Sequence, residues 1–311
     1  MSHEVETMFS VREKPWHYEM TKDVTKIIQE APTSKDALIA AGLDWSVINK
    51  PVFDENQKEI PGYKMNVRST DSQILGIVSN KYRIVQNHEA FEFTDALLGE
   101  GVRYETAGSL RKGKTIWLLA KMESVSILGD EVEPYLCFTN AHDGTGAVRA
   151  CMTPVRVVCN NTLNLALSQT SRAWSTPHRG NVLGRIEEAR ETLELANSYM
   201  KHLDEEADRL ANTPMDEGQV KDALNKMFAL PEDATDRQKQ NADAQKSEIV
   251  MCMLRPDIAQ FMNTQWGFIN AVADYVDHSE PMRHTQNFEE NRWGQIIIGH
   301  PLLDKAMSLV R

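Results

Sequence analysis

Short runs in which apolar and polar residues alternate fill the middle of the chain, and this period of two is typical of half-buried β-strands. Turn-forming segments that contain glycine separate several runs, at residues 111–114 and 143–146. Glycine adopts the positive φ of a tight hairpin at little cost. The pattern therefore predicts a mainly antiparallel sheet. Its strands are expected at residues 63–68, 74–79, 103–107, 115–122, 135–139 and 147–152.

Helical periodicity interrupts this sheet twice and then dominates the chain. One inserted helix is predicted from Asn87 to Gly99, between a capping residue and a terminal glycine, and a second begins at Asn160 or Asn161. From residue 186 to residue 210, apolar residues recur three and four positions apart. This heptad seam packs either on its own domain or on another molecule. Other helices are expected at residues 34–42, 219–228, 238–254, 264–277 and 302–310.

These elements define an α+β fold, in which a mainly antiparallel sheet with packed helices is followed by a helical C-terminal region. We predict three regions along the 311 residues. Residues 1–59 are expected to form an N-terminal arm with a short helix, and residues 60–185 an α+β core with an anion or nucleic-acid surface. Residues 186–311 are expected to form a helical region with a closing C-terminal segment.

Composition narrows the class of protein. No run approaches the roughly 18 consecutive apolar residues of a membrane span. The N-terminus is acidic, where a secretory signal would be basic and then apolar. The four cysteines lack the Cys-x-x-Cys spacing of zinc and redox sites. We therefore expect a cytoplasmic protein with reduced cysteines, no membrane partner and no cofactor.

The formal net charge of -11 opposes bulk attraction to duplex DNA, but the charge is distributed unevenly. Residues 60–185 contain 14 Lys and Arg against 11 Asp and Glu, whereas both flanks are acidic. Within this region, residues 144–186 contain five arginines and no Lys, Asp or Glu. Because guanidinium groups bind phosphate or carboxylate in a planar, bidentate geometry, the stretch indicates a polyanion-binding surface. An ordinary solvated face is the alternative interpretation.

The junction that follows Arg156 is the centre of this surface. The first amides of a helix lack intrahelical partners and carry partial positive charge, so anions bind there readily. Asn160, Asn161 and Thr162 at the predicted helix start, with Arg156 beside them, would form a seat for an anion. Ordinary helix capping by the two asparagines is an equally open interpretation.

Further cationic and aromatic residues supply what the binding of single strands uses, since cations follow phosphates and aromatic rings stack on bases. Trp174, flanked by Ser and Thr, is the predicted stacking residue, whereas Trp117 lies in an apolar run typical of a core. The predicted nucleic-acid-binding residues are Lys81, Arg83, Arg111, Lys112, Lys114, Arg149, Arg156, Asn160, Asn161, Thr162, Arg172, Trp174 and Arg179.

A catalytic alternative rests on His142, Asp143 and His178, near the same anion seat. Histidine or aspartate would supply a general base or a ligand for a divalent metal, and a metal is expected only under this alternative. Asp-Gly is also common in β-turns for conformational reasons alone. Phosphate-loop, dinucleotide and His-Glu-x-x-His motifs are absent from the sequence.

Six short motifs follow one another along the chain. They are Pro15-Trp-His17, Ala41-Gly-Leu-Asp-Trp45, Tyr82-Arg-Ile-Val-Gln-Asn87, Ala107-Gly-Ser-Leu110, His142-Asp-Gly144 and Val155-Arg-Val-Val-Cys-Asn-Asn-Thr-Leu163. In this order they resemble the phage/plasmid-like protein family, a domain-of-unknown-function family numbered 932. This resemblance implies residence on a mobile element in a bacterial host cell, without an activity. A more distant, fold-level resemblance is to the single-strand annealing recombinases of phages.

Three functions follow from these observations. The leading hypothesis is a non-enzymatic, homo-oligomeric protein that binds or anneals single-stranded nucleic acid in recombination or replication. The second is an enzyme that acts on a nucleotide or phosphoester. The third is an anti-defence inhibitor that binds a host defence protein, with acidic flanks that mimic nucleic acid.

Overall fold

The structure is a computed structural model, and it describes residues 5–11, 25–31, 33–98, 103–156, 173–279 and 300–310. The chain forms two compact units. The first contains Met1–Glu123, Pro134–Met152 and Ser171–Ala196, and the second contains Ser124–Glu133, Thr153–Thr170 and Asn197–Arg311. Each unit is described by itself below.

The strands in the described ranges belong to two sheets. The larger sheet has the order β11-β10-β9-β7-β6-β1-β2, with β8 paired to β9, and the smaller has the order β3-β4-β5. The strands are β1 (Val5–Ser10), β2 (Thr25–Ile27), β3 (Val47–Phe53), β4 (Glu59–Arg68), β5 (Ile74–Ser79), β6 (Arg103–Leu110), β7 (Thr115–Lys121), β8 (Val125–Ile127), β9 (Asp130–Ala141), β10 (Val148–Arg156) and β11 (Ala173–Thr176).

Helices interrupt and follow these strands, and two of them begin with reciprocal capping boxes, Asp216 with Gln219 and Thr235 with Gln238. The helices are α1 (Ser34–Ala40), α2 (Asn87–Leu98), α3 (Ile186–Ala211), α4 (Glu217–Met227), α5 (Asp236–Met253), α6 (Pro256–Ala259), α7 (Gln265–His278) and α8 (Pro301–Val310). The predicted α+β class, with its mainly antiparallel sheet and helical C-terminal region, is confirmed.

The N-terminal residues contribute more to the fold than an arm and a short helix. Strand β1 lies between β6 and β2 in the larger sheet, with Phe9 opposite Ala107. Met8 and Phe9 are buried there. The run is short, and its antiparallel partner lies about a hundred residues further along the chain, so local periodicity did not reveal the pairing.

The smaller sheet lies directly against the turn that follows β9. Asn66 donates from its side-chain amide to the His142 carbonyl at 2.7 Å. A Cβ added to Gly76 would lie 2.6 Å from the Asp143 Cα, closer than any side chain tolerates. Glycine at position 76 therefore permits β5 to approach this turn and helps to hold residues 142–144 in place.

In the second unit, α7 is the central helix. It is buried along most of its length, and both α5 and α8 pack against it. The described part of the heptad seam is buried within the chain at Leu203, Ala207 and Leu210. These positions therefore pack on the protein's own residues. Across the described ranges, no helix combines the length and apolarity that crossing a bilayer requires.

Candidate anion-binding site

Two segments that are distant in sequence meet in the first unit. The Arg83 amide donates to the His178 carbonyl at 2.9 Å. His178 Nδ1 donates in turn to the Arg83 carbonyl at 2.9 Å, across a sequence separation of 95 residues. The rings of Tyr82 and His178 stack with centroids 4.5 Å apart and planes 15° apart. These contacts bring residues 81–83 and 177–179 together.

Three of the predicted binding cations lie at this junction. Lys81, Arg83 and Arg179 are exposed, and in the part of the chain that the structure describes none of them makes an ion pair. Lys64 extends from β4 and donates to the Tyr82 carbonyl at 2.9 Å. Partial burial, and then the nearby charge of Arg83, lower the pKa of Lys64. We call Lys81, Arg83 and Arg179 the cationic rim.

An open pocket of about 610 Å³ adjoins the cationic rim. Its lining includes Tyr82, His178 and Arg179 together with the turn of residues 143–147. Gly144 in this turn has φ +81°, and a Cβ there would lie 2.9 Å from a Val78 side-chain carbon. Both the backbone conformation and the packing on β5 therefore favour glycine at the pocket wall.

The β6–β7 turn contacts the residues that form the wall of this pocket. Arg111 forms an ion pair with Asp143 at 3.2 Å and donates to Thr115 Oγ1 at 2.7 Å. The Lys114 carbonyl accepts from the His142 amide at 2.7 Å. The side chain of Lys112 is exposed, while its carbonyl accepts from Arg68 at 2.6 Å. The turn thus anchors residues 142–143.

His142 is fully buried. Its Nε2 lies 2.9 Å from Asn87 Oδ1, and its ring meets Trp45 edge-on with centroids 5.6 Å apart. Asn87 uses its amide nitrogen to donate to the Leu43 carbonyl, so its oxygen accepts from His142 Nε2–H. Burial, followed by the influence of His178 and Arg68, lowers the pKa of His142 to about 3. His142 is therefore a neutral core residue at neutral pH.

Asp143 and His178, the other residues of the catalytic alternative, lie at the pocket. Asp143 accepts from the Thr145 amide at 2.9 Å and from Thr145 Oγ1 at 2.6 Å, which is the geometry of an Asx turn. Burial lowers the pKa of His178, against the opposing effects of its bond to Arg83 and of Asp143. Asp143 and His178 thus both make contacts that hold the local backbone in place. Among the described residues there is no group of three potential metal ligands.

Trp174 does not occupy the exposed position that base stacking requires. It is 7% exposed and stacks on Phe93 with centroids 5.6 Å apart. Side chains alternate along β11, and Ala173 and Ser175 point outward while Trp174 points into the core. Its polar neighbour Ser175 therefore lies on the opposite, exposed face of the strand. Trp117, in contrast, is fully buried, as its apolar run indicates.

The remaining predicted residues are not brought to the rim by any described contact. Arg149 is half-buried on β10, opposite Ser175 of β11. Arg156 is the last residue of β10, and the structure describes only its backbone. Asn160, Asn161, Thr162 and Arg172 lie outside the described residues. Sequence reasoning missed Lys64, because a single lysine in a strand carries no local signal of its partner.

The first unit thus combines an exposed cationic rim with an adjoining open pocket. The chain belongs to the family described as a domain of unknown function, DUF932, whose model matches residues 74–294. Comparison with curated proteins and with solved structures found no match.

Proposed function

We propose that this protein binds single-stranded nucleic acid through the cationic rim. The observation that carries the proposal is the convergence of Lys81, Arg83 and Arg179, three exposed cations without ion pairs among the described residues. Reciprocal hydrogen bonds between Arg83 and His178 hold their two segments together. A fixed group of cations neutralises phosphates without first having to be assembled.

The size and charge of the site favour a single strand over a duplex. The chain has a net charge of -11, which opposes a polyanion everywhere except at local basic sites. A duplex is stiff and presents many phosphates at once, whereas a single strand bends to follow a small group of cations. In this proposal the protein is a homo-oligomer in the cytoplasm of a bacterial host. It acts there in recombination, replication or protection of a phage or plasmid.

Neutralising the rim is expected to weaken binding in a salt-dependent manner. The test variant is Lys81→Gln/Arg83→Gln/Arg179→Gln, titrated with labelled single-stranded and duplex oligonucleotides at about 50 and 200 mM salt. Each lost phosphate contact is expected to reduce the slope of log K against log salt by about 0.7 for a single strand. The wild-type protein is expected to prefer the single strand.

The matched control removes the same charge from the helical unit. Lys221, Arg237 and Lys239 are exposed on α4 and α5, and their replacement by Gln is expected to leave both affinity and salt slope close to wild type. Wild-type binding that is absent or insensitive to salt would falsify the proposal. Equal losses in the two triple variants would show that net charge, and not the rim, determines affinity.

A further inference from the structure

The smaller sheet has one face that packs on the protein and one that is open. Asn49 donates to Asn66 across β3 and β4 at 2.7 Å, and Asn66 in turn contacts His142, so this pair marks the inner face. Side chains alternate along a strand. Tyr63 and Met65 of β4 therefore lie on the outer face, as does Ile77, which is paired with Met65.

Two large apolar residues of this outer face are exposed. Tyr63 is 53% exposed and Ile77 is 57% exposed. Tyr63 and Ile77 are diagonal neighbours across β4 and β5, within reach of one another for side chains of this size. An aromatic ring beside a branched aliphatic residue offers an apolar patch that the described residues leave exposed.

The apolar face continues into the cationic rim. Tyr63 is paired with Ser79, the last residue of β5, and the next residue, Asn80, donates from its amide to the Gly62 carbonyl at 3.0 Å. Lys81 of the rim follows immediately. Ile77 and Ser79 also line the pocket that Arg179 lines. The aromatic ring and the cations therefore lie along one continuous stretch of surface.

Charge varies around Tyr63. Lys81 of the rim follows the end of β5 next to Tyr63, whereas the β3–β4 hairpin, which extends beyond Tyr63 at the same end of the sheet, carries Asp54, Glu55 and Glu59. A phosphate backbone is attracted to the rim and repelled by this hairpin. An aromatic ring next to cations is the combination with which proteins bind single strands, because every base has a face that stacks on such a ring.

We propose that Tyr63 and the outer face of the smaller sheet stack on unpaired bases of a strand whose phosphates contact the cationic rim. This inference rests on the proposed function, and it adds that the protein recognises the bases of the strand as well as its phosphates. Stacking requires bases that are accessible from their faces, so it also explains a preference for single strands over duplex.

The experiment compares Tyr63→Ala with Tyr63→Phe in the full chain, using a labelled single-stranded oligothymidine and an abasic oligonucleotide of the same length. Tyr63→Ala is expected to weaken binding of the oligothymidine on the order of tenfold, and Tyr63→Phe is expected to bind as wild type does. The salt slope is expected to remain unchanged, because the phosphate contacts remain. The wild-type protein is expected to bind the abasic strand weakly. Tyr63→Ala is expected to bind the abasic strand with the same affinity as the wild-type protein.

The control is Phe53→Ala, an exposed aromatic residue of the same sheet that is paired with Glu59 in the acidic β3–β4 hairpin, beyond the residues of β4 that pair with β5. Its affinity is expected to match wild type. Equal binding of abasic and base-containing strands by the wild-type protein would overturn the inference without requiring any variant. Unchanged binding of the oligothymidine by Tyr63→Ala would overturn it too.

The rim variants separate this inference from the proposed function. If they weaken binding while Tyr63→Ala and the abasic strand have no effect, the strand is held by its phosphates alone and only the stacking inference fails. If the wild-type protein binds no oligonucleotide in a salt-dependent manner, the proposed function and the stacking inference both fail.

Discussion

Lowering the pH from about 7 to about 4.5 is expected to destabilise the protein steeply, because His142 is neutral in the fold. Its pKa is about 3 in the folded protein, compared with an ordinary value of 6.5. Between these values the unfolded chain binds a proton that the folded chain does not. The contribution of neutral His142 to the unfolding free energy is therefore complete above pH 6.5, and it is lost as the pH falls toward 3.

The expected slope from His142 is about 1.4 kcal/mol of unfolding free energy per pH unit. His178, whose pKa burial also lowers, acts in the same direction. Denaturant unfolding at several pH values measures this dependence. The variant His142→Gln does not titrate and is expected to show a shallower slope between about pH 6.5 and pH 4.5 than wild type.

His88 provides the matched control, because it is an exposed histidine on α2. His88→Gln is expected to retain the wild-type slope. The acid sensitivity that remains in His142→Gln would come from other titrating groups, among them His178. If His142→Gln and wild type lose stability in parallel as the pH falls, the buried neutral state of His142 is not the source of the acid sensitivity.

Removing the carboxylate of Glu6 is expected to cost about 2 kcal/mol of unfolding free energy, because a buried guanidinium loses its bidentate partner and keeps only Asp71, at 3.6 Å, as a carboxylate partner. Arg68 is 8% exposed, and its two terminal nitrogens donate to the two Glu6 oxygens at 2.9 and 2.8 Å. The guanidinium also lies over Trp45, 4.9 Å from the ring centroid. This pair joins β1 to β4, and hence the N-terminal strand to the smaller sheet.

The measurement is denaturant unfolding of Glu6→Leu, Arg68→Met and the double variant. The double variant is expected to recover part of the loss in Glu6→Leu, because it no longer buries a guanidinium that lacks its bidentate partner. Asp243→Asn is the control, since Asp243 is 74% exposed and pairs with Lys246 within one helix. It is expected to cost less than about 1 kcal/mol. A similarly small cost for Glu6→Leu would contradict a structural role for the buried pair.

Local sequence pattern predicted much of the secondary structure, because periodicity and capping act over a few residues. The strand predicted at residues 74–79 is β5 (Ile74–Ser79), and the helix predicted from Asn87 is α2 (Asn87–Leu98). The turn predicted at residues 111–114 connects β6 to β7. Strand β1 was not predicted, since its burial depends on β6, far along the chain.

The same distinction separates the predicted site residues. Exposed cations such as Lys81, Arg83 and Arg179 were identified from composition, because charge is a property of each residue. Composition contained no information about which face of β11 carries Trp174, and the pleat of that strand turns its ring into the core against Phe93. Tyr63 was not predicted to be a binding residue, because the sequence does not show which face of its sheet packs on the protein and which face is exposed.

By itself, the sequence determined the α+β class, most strand and helix positions, the acidic total charge and the cationic residues of the middle region, since these depend on residue type and short-range spacing. Only the tertiary structure decided that Arg83 and His178 exchange hydrogen bonds, that His142 is a neutral core residue and that Tyr63 adjoins the rim. These features depend on contacts between residues far apart in the chain, which form when the strands pair and pack.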